Sequence, residues 1–230
     1  MTVSAAEPEA RREVAPMSTA QRVWYRTLRA VLEGFCRVMW RLSVEGRERL
    51  PVTGPFIFSP VHRSNIDFMI AAVSVPRVMR FMGKNTVWKP DWFGRFLDYM
   101  VAFPVDRERV DRTALRNSEA ALGFGDPVVM FPEGRRKEGL VVEDLQEGPA
   151  WVACRMRVPI VPVGFAHTDE AMPIGAKMLR PARIRVIIGA TLAKGTSPDK
   201  VTSDRNVRRQ RQRGDLVLRR MAALNVEKGL

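Results

Sequence analysis

The chain has 230 residues, 46% of them hydrophobic and 27% charged, the proportions of a folded domain rather than of a disordered tract. Its two cysteines, Cys36 and Cys154, are too few for a disulfide framework or a cysteine-rich metal site, and they suit a reducing compartment. Lys and Arg outnumber Asp and Glu 38 to 25, a formal net charge of +13, so the partners this composition favours are polyanions: nucleic acid, an anionic lipid surface, or phosphorylated substrates.

The first residues, "MTVSAAEPEARREVAP", lack the apolar centre of a secretory signal, and residues 1–17 read as a polar, disordered lead. No stretch holds the about 20 unbroken apolar residues that span a bilayer. From Ser18, a good helix cap, the run "AQRVWYRTLRAVLEGFCRVMWRL" is predicted to be helical through residue 42. At about 100° per residue, Trp24, Leu28, Val31, Phe35, Val38, Met39 and Leu42 share one face, and Arg22, Arg26, Arg29, Glu33 and Arg37 share the opposite one. Two arrangements fit this pattern. The helix covers the domain's own core with its arginines in water, or it lies in a membrane interface.

Residues 43–200 then alternate short apolar runs with helical stretches. Strands are predicted over 42–46, 56–59, 78–82, 100–105, 128–131, 160–165 and 183–189, and helices near 67–74, 91–98, 108–122 and 149–156. The alternation predicts an α/β fold: a mixed, largely parallel sheet flanked by helices, with functional groups at the carboxyl ends of strands. Residues 201–230, crowded with arginines (Arg205, Arg208, Arg209, Arg211 and Arg213), are predicted to form a basic C-terminal helix.

Several stretches at predicted strand ends carry chemistry. In "HRSNID", His62 and Asp67 stand five positions apart. A neutral imidazole can accept a proton near neutral pH, and a carboxylate on its other nitrogen fixes the tautomer and stabilises the imidazolium. The pair can serve as a general base without a protein nucleophile, or it can be a structural hydrogen bond. In "MFPEGRRKEG", Gly134 shapes a turn crowded with Glu133, Arg135, Arg136 and Lys137, suited to a phosphate because guanidinium presents paired donors; an ordinary charged turn has the same composition. Lys84 ends another strand, and Asp106 and Arg107 end a further one in "FPVDR". One base among several cations suits deprotonating an alcohol that also bears a phosphate. There is no Gly-x-Ser-x-Gly elbow and no Walker or dinucleotide glycine loop. His167, in "FAHTDE", lacks neighbours with zinc spacing, so no metal is expected.

Taken in order, these blocks resemble the 1-acyl-glycerol-3-phosphate acyltransferases, the HxxxxD glycerolipid acyltransferases, from about residue 43 to 189. "HRSNID" is similar to the family's first block, "FPVDR" to the second, "FPEGRR" to the third (usually Phe-Pro-Glu-Gly-Thr-Arg) and "VPIVPVGF" to the fourth. The resemblance implies transfer of a fatty acyl chain from acyl-CoA or acyl carrier protein to a hydroxyl of lysophosphatidic acid, with glycerol 3-phosphate as the rival acceptor and no cofactor beyond the thioester co-substrate. It implies His62 as base and Asp67 as its orienting group. The acceptor phosphate would be held by Lys84, Arg107 and Arg136 with the Glu133–Gly134–Arg135 turn. It further implies an interfacial reading of residues 18–42, on an anionic membrane at the cytoplasmic face of the cell membrane as a peripheral protein, and nucleic acid is not an expected partner. Two departures stand out: Val61 where the family commonly has Asn, and Arg135 where it has Thr.

Overall fold

The computed structural model describes residues 13–106, 111–137 and 145–192. Arg107 and the predicted C-terminal helix lie outside the described residues. Of the N-terminal lead, residues 13–17 are described, and Val14 packs partly buried against the core. Met17 is buried, and the Ala15 carbonyl accepts a 2.7 Å hydrogen bond from the buried guanidinium of Arg80.

Helix α1 (Thr19–Trp40) opens with a full capping box, in which Ser18 accepts from the Gln21 amide and Gln21 reaches back to the Ser18 amide. The remaining elements follow as β1 (Ser43–Glu45), β2 (Ile57–Pro60), α2 (Asp67–Ser74), β3 (Arg80–Lys84), α3 (Asp91–Tyr99), β4 (Phe103–Val105), α4 (Arg112–Gly123), β5 (Val128–Val129), α5 (Gly148–Met156), β6 (Ile160–Ala166), α6 (Thr168–Ala171) and β7 (Arg185–Ile188). The strands form one seven-stranded sheet in the order β1-β7-β6-β2-β5-β3-β4. Every pairing is parallel except β6 with β7, which matches the expected mixed, largely parallel α/β sheet.

Strands β2, β5 and β6 are apolar except for the buried Ser59, because both of their faces are covered. Successive side chains alternate between two cores. Phe58, Val129, Val161 and Val163 point with Cys36 and Trp40 of α1 and Ile70, Ala71 and Val73 of α2. Ile57, Val128, Met130 and Ile160 point the other way, with Ala121 and Leu122 of α4 and Val152 and Ala153 of α5. The sheet is therefore sandwiched between an α1/α2 layer and an α4/α5 layer.

Helix α1 docks by a flank that the amphipathic wheel did not single out. Tyr25, Cys36 and Trp40 are buried and Leu32 packs against the larger core. Of the wheel's apolar stripe, Trp24, Val31, Phe35 and Val38 are exposed, with Val38 at 85%, Leu28 is half-buried, and Met39 and Leu42 pack against the larger core. Ion pairs set this rotation. Arg22 reaches Asp126 at 3.0 Å and Glu33 reaches Arg47 at 3.1 Å, while Arg29 and Arg37, on α1 itself, flank Glu33 at 2.7 Å each. Arg22, Arg29 and Glu33 are thus held toward the domain while Trp24, Val31, Phe35 and Val38 face away from it.

Candidate active site

The parallel order β2-β5-β3-β4 brings four strand ends to one edge of the sheet. His62 leaves β2, the "FPEGRR" turn leaves β5, Lys84 ends β3 in register with Val105, and Asp106 follows β4. In an open parallel sheet this carboxyl edge is where loops can converge on a ligand.

His62 and Asp67 meet. Nδ1 of His62 lies 2.9 Å from Oδ2 of Asp67, and both side chains are buried. The same oxygen accepts the amides of Arg63 at 2.6 Å and Ser64 at 2.7 Å. Asp67 opens α2, so the first turn of that helix folds the carboxylate back under the imidazole. An ionised carboxylate only accepts, so Nδ1 carries the proton and Nε2 keeps its lone pair. The ring also stacks on Phe131, with centroids 4.2 Å apart and planes at 26°. One nitrogen is oriented by Asp67, and the other has no partner among the described residues.

The turn after β5 is pinned to the histidine loop. Gly134 adopts φ 66°, the left-handed conformation that glycine takes without penalty, and its amide closes a turn on the Phe131 carbonyl. Glu133 is buried and points inward. Its Oε2 accepts the His62 amide at 2.8 Å, and both its oxygens accept from Arg63 at 2.6 and 2.8 Å. The Lys137 amide donates in turn to the His62 carbonyl at 3.0 Å. Glu133, grouped with the phosphate-binding turn from its position in the sequence, is therefore a strut that fixes one loop on the other. A buried carboxylate already committed to an arginine has no oxygen to spare, and its charge would repel a phosphate. Arg63 is the residue that sequence reasoning passed over. The signal available was an arginine beside the presumed base, with an acidic residue in the block it must meet.

The cations are less committed. Lys84, Arg135 and Arg136 make no ion pair or side-chain hydrogen bond among the described residues, and each is at least partly exposed. By contrast Arg22, Arg47, Arg63 and Arg80 are all paired. Unpaired cations at adjacent strand ends suit an anionic group. His167 sits apart at the end of β6, exposed, against Glu170 at 2.8 Å, and among the described residues no His, Cys, Asp or Glu cluster could hold a metal.

Residues 41–166, more than half of the chain, match the family model described as Acyltransferase. The chain belongs to the acyltransferase family. It is 27% identical over 152 residues to the 1-acyl-sn-glycerol-3-phosphate acyltransferase of Bacillus subtilis strain 168, a match covering 66% of this chain and 73% of that protein. A chloroplastic 1-acyl-sn-glycerol-3-phosphate acyltransferase of Arabidopsis thaliana is 27% identical over 153 residues, covering 65% of this chain and 43% of that longer protein. The fold is similar to the crystal structure of the 1-acyl-sn-glycerophosphate acyltransferase of Thermotoga maritima, with a TM-score of 0.65 at 22% identity, over 90% of this chain and 84% of that one.

In this acyltransferase the strands that lead into the first and third blocks and carry the fourth are joined by backbone hydrogen bonds. The Val61 amide donates to the Val163 carbonyl of β6, and the Met130 amide to the Phe58 carbonyl of β2. Val61, where the resemblance leads one to expect Asn, is a buried core residue. Arg135, in the threonine position, is exposed at the turn. Met79 and Phe103 are plain core, buried in the two clusters.

Proposed function

We propose that this acyltransferase moves a fatty acyl chain from an acyl thioester, of coenzyme A or acyl carrier protein, to the free hydroxyl of lysophosphatidic acid, forming phosphatidic acid at a membrane surface. The observation that carries the reading is the buried His62–Asp67 pair beside a turn whose arginines are uncommitted.

Nε2 of His62 removes the proton from the acceptor hydroxyl as that oxygen attacks the thioester carbonyl. Asp67 stabilises the imidazolium that forms. When the tetrahedral intermediate collapses, the carbon–sulfur bond breaks and the thiolate takes the proton from His62, so the base is restored and an ester and a free thiol leave. Lys84, Arg135 and Arg136, with Arg107 from the second block, hold the acceptor phosphate so that the hydroxyl reaches Nε2. The reaction written this way needs a base, a charge clamp and the thioester co-substrate, and no cofactor enters it.

Attachment is peripheral, at the cytoplasmic face. Among the described residues no helix is long and apolar enough to cross a membrane. The exposed stripe of α1 offers aromatic and branched side chains to the headgroup boundary. Near its start, Trp24 meets Tyr99 edge-on, with centroids 6.4 Å apart, and Trp92 and Phe96 of α3 are exposed as well.

General-base catalysis is worth about 10² to 10⁴ in rate, so His62→Ala should lose at least about a hundredfold in kcat while its melting temperature stays near that of the parent. Arg136→Ala should act mainly on the acceptor KM, since a charge–phosphate contact exists before the transition state. The assay is radiolabelled acyl-CoA with lysophosphatidic acid, glycerol 3-phosphate or a neutral lysolipid as acceptor. A folded His62→Ala enzyme with parental activity refutes the base. Preference for glycerol 3-phosphate moves the acceptor, and equal use of a neutral lysolipid removes the phosphate clamp.

A further inference from the structure

We infer that the irregular segment 172–184 is a second lipid-contacting element, which seats the mouth of the His62 site on an anionic bilayer beside α1; this rests on the reading of the protein as one that works at a membrane.

Between α6 and β7 the chain runs without helix or strand, yet it is held firmly at its stems. The Arg180 amide donates to the Ala171 carbonyl at 2.9 Å, closing residues 172–179 into a loop whose ends touch, and the Ile184 amide donates to the Trp40 carbonyl at 3.0 Å. Met172 and Ala182 pack against the larger core. This is a compact Ω-type loop, a class often recruited for function.

Its tip is unusual for a loop in water. Ile174, Met178 and Leu179 are exposed, Met178 at 78%, and Lys177, Arg180 and Arg183 are exposed among them. No carboxylate occurs from residue 172 to 184. A nucleic acid would satisfy the cations and leave the apolar side chains wet, whereas an acidic protein surface offers no apolar depth. The boundary layer of an anionic bilayer takes both, with side chains among the acyl chains and cations at the phosphates.

Position supports the same occupant. Phe35, on the exposed stripe of α1, meets Trp40 edge-on at 5.5 Å, and the Trp40 indole donates to the Arg180 carbonyl at 2.9 Å. The loop therefore adjoins the helix proposed to lie on the membrane. At its other stem, Ser64 Oγ donates to the Met172 carbonyl at 2.6 Å, while the Ser64 amide binds the catalytic Asp67. Phe68, next to Asp67, is exposed. A loop seated on lipid in this way delivers the acceptor to His62 from the bilayer rather than from solution.

The test uses the full chain with an environment-sensitive nitrobenzoxadiazole label on Met178→Cys, and in parallel on Val38→Cys of α1; native Cys36 and Cys154 are buried. Vesicles of phosphatidylcholine and phosphatidylglycerol in equal parts should blue-shift both labels, and brominated acyl chains should quench both. If the label at 38 enters lipid and the label at 178 stays in water, the loop inference fails and the membrane reading stands. If neither enters, both fail. A label at 178 that is already shielded without vesicles places protein over the tip and also overturns the inference. Met178→Asp should raise the lipid concentration for half-maximal vesicle binding by about tenfold at an unchanged melting temperature. Parental binding by that variant, or RNA retention in place of vesicle binding, counts against the loop.

Discussion

One oxygen of Asp67 holds an imidazole nitrogen and two backbone amides at once, so the loop after β2 is ordered by the same atom that orients the His62 ring. Below it, Glu133 and Arg63 form a buried pair at 2.6 Å, and Glu133 also takes the His62 amide. The two residues lie 70 positions apart in the chain, which makes their bond the seam between the first and third blocks. Breaking such a pair on one side leaves a buried charge, at a cost of about 3 to 5 kcal/mol. Glu133→Gln should lose stability on that scale, whereas Glu133→Gln combined with Arg63→Met should recover most of it, because no buried charge is left alone. Denaturant midpoints of the two variants decide the matter; a single variant as stable as the parent would show that the pair is no strut.

At the scale of elements, α1 is clipped to α2 through one carboxylate. Glu33 gathers Arg29, Arg37 and Arg47, and Arg47 donates onward to the Ser74 and Val73 carbonyls at the end of α2, where a cation complements the free carbonyls and dipole of a helix terminus. The helix whose first residue is Asp67 is thus tied at its far end to the helix that displays Val31 and Val38. Partial burial works to raise the pKa of Glu33. The hydrogen bond and charge of Arg47, with the charges of Arg37 and Arg29, outweigh it and hold the carboxyl below its ordinary 4.5. A depressed folded value means that the stability it supplies is present above the ordinary value and is lost as the pH falls through the folded one. Glu33→Gln should therefore be less stable than the parent near neutral pH, by a gap that narrows below about pH 4. Urea midpoints across that range test this, and a gap independent of pH would mean that the carboxylate charge does not hold α1.

For the whole molecule, the balance of charge is the dominant long-range property. A net charge of +13 favours anionic surfaces at long range, whereas exposed apolar residues such as those of α1 and of the 172–184 loop can contribute only on contact. Association with anionic vesicles should weaken as ionic strength rises past about 0.1 M, where the screening length falls to about 10 Å. Association with pure phosphatidylcholine should be weaker and nearly indifferent to salt. Sedimentation over a salt series separates the two contributions; binding to anionic vesicles that ignores salt would remove charge as the attractor.

Every strand of the described sheet and most of its helices were legible in the sequence, as was the His62–Asp67 pair, because each depends on residues close along the chain: apolar runs of strand length, a serine cap, a carboxylate five positions beyond an imidazole. The tertiary structure alone decided which way α1 is rolled, what Glu133 binds, and that the tip of 172–184 stands out beside the site. Those are outcomes of long-range competition among burial, ion pairing and strand order. An amphipathic wheel cannot tell which flank meets the protein when ion pairs to Asp126 and Arg47 set the rotation. A glutamate in a basic turn reads as part of an anion site until a partner from another strand end neutralises it.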